Sequence, residues 1–568
     1  MTSHATETLG SLRLKRPRAS TLAVAAGFLI SLGYAIWLLS PRFGIATPSV
    51  IDDWNGASQG ARSLGDLLLP FVESPARRFR PGFGLFDYIE WHTLGAPFDM
   101  TGPNLWNIGR VALLVAGIGV VPALVARAIR PELSPLALGA LTALSPAAVI
   151  TGTTIPVDLA RLAPQEPMLI GATVCGAALV LLGLDRHLSG RRLRAALPPA
   201  AIGWLLFVVG VTSKEASISF LVAVPFLYAF LVGRWRERGL VHSLFGPLRN
   251  GGFLICAVAL AIPLLWVAFR AGSISGEGAD LYEAGAPTGT GEWTDRLRAS
   301  WNLQRASLTG TVGSPIWHAL AVGLPFLAAA VVLDRRRMPW LALGLGLAAA
   351  VMLVLQGLPA VVTSRYFLPT MALLAMSASL LLAQAQGWLR WTALAATAIL
   401  VATGASAARQ SVQAWAADEK ATSSFVDQVA TLTESGCTIH LAGVDIERSE
   451  ALPRLVALKI DAIGRRCAND ADALVVTLPS GAPQAVGDTG VWSACREPWK
   501  PEAAAGIWVL LRCDALKERV GGQRAATFLR PALMVPGVGP TLRNACLELD
   551  RDDLACDRPV LERGQSWP

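Results

Sequence analysis

Residues 21–40 read TLAVAAGFLISLGYAIWLLS, and residues 49–56, shortly after, read SVIDDWNG. The first stretch carries no charge over twenty residues, which as an α-helix matches a hydrocarbon core of about 30 Å. It follows the basic segment SLRLKRPRAS at residues 11–20. A cleaved signal peptide has a shorter apolar region, about 7–15 residues. The run is therefore expected to be an uncleaved first transmembrane helix with its N-terminus cytoplasmic. The second stretch then places two carboxylates, Asp52 and Asp53, just past the far end of that helix.

The rest of the chain extends this reading. Of 568 residues, 53% are hydrophobic and 16% charged, against about 25% charged in an average soluble domain. Further apolar segments fall near 108–128, 132–150, 167–184, 196–212, 215–233, 251–270, 314–333, 339–357, 366–385 and 390–408. The expectation is an α-helical polytopic membrane protein of about eleven transmembrane helices. RAIRPE, DRHLSGRRLR, GRWRERG, LDRRRMP and GWLRW all fall on the side of the basic N-terminus, which the positive-inside rule makes cytoplasmic. The net charge of +8 then belongs to loops near anionic lipid and not to nucleic-acid binding. The spans 196–212 and 215–233 are separated only by TSKE, and merging them would reverse every later loop. The long segments 41–107 and 271–313 fall outside in this arrangement. Transporters more often keep loops short and bury charge in mid-membrane.

Residues 1–408 thus form a transmembrane domain with a long first outer loop, 41–107. Residues 409–568 read as a small extracytoplasmic α/β domain. GCTIHLAGVDI, DALVVTLPSG and GIWVLLRCD look like strands, and SEALPRLVALKIDAIGRR has helical spacing. An exit helix is expected near 411–434. Cys437, Cys467, Cys495, Cys513, Cys546 and Cys556 lie in this region, whereas Cys175 and Cys256 lie in spans. An even set confined to one soluble domain suits disulfides in an oxidising compartment; buried free thiols are the alternative. No C-x2-C pair points to zinc.

Adjacent residues point different ways on a helix or a strand, so Asp52 and Asp53 are not expected to act on one atom. One can face a reacting hydroxyl as general base while the other orients a partner or raises its neighbour's pKa. The plainer reading is a solvated loop start that caps a short helix. Downstream, SPARRFRPGFGLFDYIEWHTLGAPFDMTGPNLWNIGRV is rich in aromatic residues that favour the membrane interface, and ASQGARSLGDLLLPFV could lie on the surface as a helix. Arg77, Arg78 and Arg80 suit a lipid phosphate, or simple headgroup contact. His92 reads as a structural, hydrogen-bonding residue.

The order of these features resembles the GT-C glycosyltransferases, a superfamily that includes protein O-mannosyltransferases and the lipid A aminoarabinose transferases. The features are a first span, an acidic pair, a long outer loop, Arg-Pro before an aromatic stretch and an asparagine before the second span. VTSKEASISFLVAVP resembles a Lys-Glu motif of several such families, here Lys214 and Glu215. VVTSRYFLPTMALL resembles an Arg-Tyr stretch before a late span, here Arg365, Tyr366 and Pro369. The resemblance covers roughly residues 20–400. TGTTIPVDLARLAPQEP, at 151–167, fits no such pattern. An interfacial ion pair at Lys214–Glu215 and a helix-end anchor at Arg365 are the structural alternatives.

The resemblance implies a glycosyltransferase of the inner (cell) membrane that takes sugar from a polyprenyl-phosphate donor to a hydroxyl of a glycan, lipid or protein acceptor. Asp53 or Asp52 would be the base. Arg80, Lys214, Glu215 and Arg365 would line the donor phosphate. A divalent cation, held by acidic residues in some relatives, is left open, and no metal ligand is assigned. The rival readings are a transporter or flippase of a lipid-linked glycan, and a non-catalytic membrane protein whose outer domain binds a partner.

Overall fold

A computed structural model of the chain describes residues 19–46, 80–93, 98–151, 155–161, 165–188, 193–222, 251–272, 340–356, 367–385 and 387–432, with three short strands beyond and four single positions between 291 and 298. The helices are α1 (Ala19–Leu39), α2 (Pro81–Asp87), α3 (Thr101–Val115), α4 (Val121–Ile129), α5 (Pro135–Ile150), α6 (Ile155–Ala160), α7 (Glu166–Leu188), α8 (Leu193–Val211), α9 (Gly251–Gly272), α10 (Trp340–Gln356), α11 (Phe367–Gln384) and α12 (Gly387–Leu432). A 3-10 turn, Ser40–Gly44, prolongs α1. A π-turn, Ala116–Val120, joins α3 to α4 in one span.

Five of these are long and apolar enough to cross a membrane: Ala19–Gly44, Thr101–Ala128, Glu166–Leu184, Arg194–Val211 and Gly387–Ala417. Four shorter apolar helices stand beside them. The outside of the bundle is greasy: Leu29, Ile30, Ile202, Leu205, Ile262, Phe269 and Ile399 are each more than half exposed. Such a surface would associate in water, so the helices are those of an integral membrane protein. The expected span 314–333 lies outside the described residues.

Small residues hold the interior together, as expected where lipid supplies no hydrophobic drive between helices. A Cβ on Gly27 of α1 would sit 2.4 Å from the Gly139 carbonyl oxygen of α5. A Cβ on Gly176 of α7 would meet the Phe207 nitrogen of α8 at 2.4 Å, and one on Gly203 of α8 would meet the Val180 nitrogen at 2.6 Å. These contacts set the direction of each helix. The start of α1 lies against the start of α5, and Tyr34 Oη near the end of α1 is 2.7 Å from Thr151 Oγ1 at the end of α5. Arg130, after α4, donates to the carbonyls of Ala383, Gln384 and Ala385 at the end of α11 (3.3, 3.2 and 3.1 Å). Arg186 at the foot of α7 donates to Ala195 O on α8 at 3.1 Å. The bundle therefore has one end that carries Arg127, Arg130, Arg186, Arg194 and Arg390, and a far end reached by Ser40–Gly44, α2, α6 and the end of α8.

The expected spans 196–212 and 215–233 are not one helix. The α-helix stops at Val211, where Thr212 Oγ1 and Ser213 Oγ donate back to the carbonyls of Val208 and Val209 (both 2.7 Å). Lys214 is extended, and a 3-10 turn, Glu215–Ser219, follows. Side-chain bonds of this kind offer the backbone an alternative to the helix ladder. The expected span 390–408 and exit helix 411–434 form one helix, α12, of 46 residues.

Three parallel strands follow in sequence: β1 (Thr438–Ala442), β2 (Asp472–Thr477) and β3 (Ala526–Phe528), in the order β1-β2-β3. β1 and β2 fall within two of the expected strands; β3 was not foreseen. The segments 449–466 and 506–514 and the six C-terminal cysteines lie outside the described residues. Cys175 is free.

Candidate functional site

The far end of the bundle gathers most of the buried charges. α3 presents Asn104, Asn107 and Arg110 at intervals of three, one face of a helix, and all three are buried. Asn104 Oδ1 accepts from Arg42 Nε at 3.4 Å, and Asn107 Nδ2 donates to the Leu159 carbonyl on α6 at 2.8 Å. Arg110 Nη2 donates to Asn107 Oδ1 at 3.3 Å. The same guanidinium pairs with both oxygens of Glu90, at 3.4 and 3.5 Å. Glu90 is fully buried and Arg110 is 3% exposed. Glu90 sits in a π-turn, Tyr88–Thr93, that continues α2. A one-turn widening of this kind re-aims side chains and is frequent at functional sites.

Arg42, at the end of α1, is fully buried, with its guanidinium carbon 5.7 Å from the Trp415 ring of α12. On α6, Asp158 is buried and pairs with Arg161 at 3.4 Å.

A second group closes the same end. Lys214 Nζ donates to Glu166 Oε1, the first residue of α7. Arg80 Nη1 donates to Gln165 Oε1 at 3.1 Å. Two cations far apart in sequence thus meet consecutive residues. Backbone packing enforces this: Gly82 N donates to Thr212 O at 3.3 Å. A Cβ on Gly82 would lie 2.2 Å from Val209 O and 2.9 Å from Ser213 Oγ. Only glycine lets the segment after Arg80 lie this close to the turn that carries Lys214.

The end is rich in donors. Among the described residues, Arg110 Nε, Arg161 Nε, Trp91 Nε1 and Trp106 Nε1 are buried without a hydrogen-bond partner. Buried donors left unpaired are costly.

Of the residues singled out from sequence, the structure brings Arg80 and Lys214 together. Glu215 begins the 3-10 turn beside Lys214. Asp52, Asp53, Arg77, Arg78, Arg365 and Tyr366 lie outside the described residues, as does the side chain of His92. The chain reaches Ala46 at this end, six residues before Asp52. The residues that sequence reasoning missed are Glu90, Arg110, Asp158, Gln165 and Glu166. Glu90 and Arg110 had a signal: an acid and a base within apolar, aromatic runs. Asp158, Gln165 and Glu166 stand in the 151–167 stretch that fits no family pattern. Among the described residues, no group of three or more His, Cys, Asp or Glu gathers as a metal site.

No protein-family model and no curated protein matches the chain. Among solved structures, the fold is similar to that of ArnT from Cupriavidus metallidurans bound to undecaprenyl phosphate. Identity is 14%, with 83% of this chain and 94% of that chain covered, and the TM-score is 0.44. It is also similar to the Archaeoglobus fulgidus oligosaccharyltransferase in the apo form, at 14% identity, 78% of this chain, 65% of that chain and a TM-score of 0.42.

Proposed function

We propose that this protein is a membrane glycosyltransferase that moves a sugar from a polyprenyl-phosphate donor to an acceptor hydroxyl at the outer face of the membrane. The observation that carries the reading is the convergence of Arg80 and Lys214 on Gln165 and Glu166 at one end of the bundle. The unpartnered buried donors at that end support an anionic ligand. The opposite end adjoins the short basic loops RAIRPE, DRHLSGRRLR and GWLRW, which the positive-inside rule makes cytoplasmic. The donor end is then extracytoplasmic.

In this mechanism Asp53 or Asp52 takes the proton of the acceptor hydroxyl. The oxygen attacks the anomeric carbon as the bond from that carbon to the phosphate oxygen breaks. The lipid phosphate leaves as an anion against Arg80, Lys214 and Arg365, whose charges stabilise it as it forms. A single displacement inverts the anomeric centre. Glu166 and Gln165 hold the two cations in place before the donor arrives, so less reorganisation accompanies reaction.

The test is transfer from a polyprenyl-phosphate sugar by purified protein. Asp52→Asn/Asp53→Asn should lower the rate by about 10² to 10⁴, the usual contribution of a general base, with donor binding retained. Arg80→Gln and Lys214→Gln should weaken donor binding instead. Normal transfer by the double Asn variant would end the enzymatic reading. The buried Glu90–Arg110 pair inside the bundle favours a transporter of a lipid-linked glycan. That reading predicts flipping of the glycan in vesicles without transfer.

A further inference from the structure

A cationic cavity that includes neither Arg80 nor Lys214 lies where α12 passes the end of α1. It has a volume of about 340 Å³ and is lined by Ser40, Pro41, Arg409, Gln413, Ala416, Ala417 and Lys420. That is the lower end of the ~300–1,000 Å³ range of small-ligand pockets. We propose that this cavity binds the phosphate headgroup of an anionic phospholipid at the membrane boundary.

Its position fits that ligand. The membrane-crossing segments of α1 and α12 run to Gly44 and Ala417, and the polar residues Ser40, Arg409, Gln413 and Lys420 of the cavity gather near those ends, the level of lipid headgroups. Trp37 and Phe43 beside it are 42% and 41% exposed, as aromatic residues at an interface are.

Its chemistry fits as well. Residues 409, 413, 416, 417 and 420 recur at helical spacing and form one stripe of α12. The stripe has a cation at each end and two alanines between, which leave the space. Arg409 and Lys420 are about 16 Å apart along the axis at 1.5 Å per residue, and both side chains are long enough to turn toward the middle. Arg409 uses Nη1 to donate to the Trp37 carbonyl and to Ser40 Oγ (3.1 Å), and stacks over the Trp37 ring at 4.7 Å. That fixes its guanidinium while Nε and Nη2 make no hydrogen bond among the described residues. Lys420 lies against the Ser40–Gly44 turn, where a Cβ on Gly44 would be 3.2 Å from its Cε and Nζ. Its ammonium, too, has no partner among the described residues. The neighbouring Glu419 is 3% exposed and does not line the cavity. Two positive charges and the Gln413 amide therefore face one open cavity, and a phosphodiester supplies the acceptors they lack.

The experiment is native mass spectrometry of the full chain released from nanodiscs of phosphatidylglycerol or phosphatidylcholine. Wild type should retain at least one phosphatidylglycerol and release phosphatidylcholine. One basic residue at a membrane surface is worth about a fivefold change in lipid retention. Lys420→Gln should show that loss, and Ala417→Trp should abolish retention by filling the cavity. Both positions are exposed, and melting temperature checks that both variants fold. Millimolar inorganic phosphate separates two supporting outcomes. Displacement of the lipid means that a phosphate group alone satisfies the cavity, from lipid or from solution; resistance means that the intact headgroup is read. Equal retention of both lipids by wild type, or wild-type retention by Lys420→Gln and Ala417→Trp, overturns the proposal.

Discussion

Glu90 and Arg110 face each other with nearly no exposure, and the cost of separating them is large. Removing one member of such a pair leaves the other charge buried and uncompensated, typically at about 3–5 kcal/mol, whereas apolar replacement of both is often close to neutral. Arg110→Met alone should therefore lower the thermal stability of the detergent-solubilised protein more than Glu90→Leu/Arg110→Met does. Melting curves of the two singles and the double decide this; a double as unstable as the sum of the singles would show that the pair is uncoupled. The single variants should also lose the placement of Asn107, which Arg110 holds against α6 through the Leu159 carbonyl. At this scale the sequence offered Arg80 and Lys214, which the structure seats on neighbouring partners. It did not offer Gln165 and Glu166, because hydrogen bonds across 85 and 48 residues leave no local pattern.

Among the elements, α2 is short and its position depends on one glycine. Gly82→Ala puts a methyl group 2.2 Å from the Val209 carbonyl oxygen, so α2 must move away from the turn that carries Lys214. The bundle, whose core lies elsewhere, should still fold. A shift of about 1 Å between groups that must act together can cost 10²-fold in rate. Gly82→Ala is expected to retain expression and melting temperature within a few degrees while transfer falls by about that factor. Gly33→Ala, with nothing within 4 Å of the added carbon, is the silent control. Wild-type transfer by Gly82→Ala would show that the closeness of α2 to α8 is not needed. The break after Val211 belongs to the same scale. TSKE is short, yet Thr212 and Ser213 bond back to the α8 carbonyls and end the helix where the sequence had placed the boundary between two spans.

For the whole molecule, α12 is the long element, about 69 Å at 1.5 Å per residue, against a hydrocarbon thickness of about 30 Å. Val412 and Ala416 are buried beyond the expected domain boundary at 408, and Trp415 lies under Arg42. A truncation after Arg409 should thus lose folded protein, while one after Leu432 should keep it and keep donor binding. Size-exclusion profiles and donor binding measured on both truncations test this; a stable, donor-binding protein ending at Arg409 would refute it. Sidedness is the second expectation. Reagents that cannot cross the membrane should label cysteines introduced at Gly285 and Gly481 and miss those at Arg191 and Arg336. Labelling at Arg336 from outside would reverse the later loops.

What the sequence determined by itself was the membrane character and most of the helix positions. Both are local: twenty apolar residues need no partner to favour a bilayer. The join of α12 was read as two helices because its lipid-facing half is apolar and the half beyond is polar, a change of solvent that looks like a change of element. The pairing of Glu90 with Arg110, of Lys214 with Glu166 and of Arg80 with Gln165 was decided only by tertiary structure. A charge inside a bundle must find its counterpart on whichever helix the packing of Gly82, Gly176 and Gly203 brings near, and that choice is made by backbone approach in three dimensions and not by spacing along the chain.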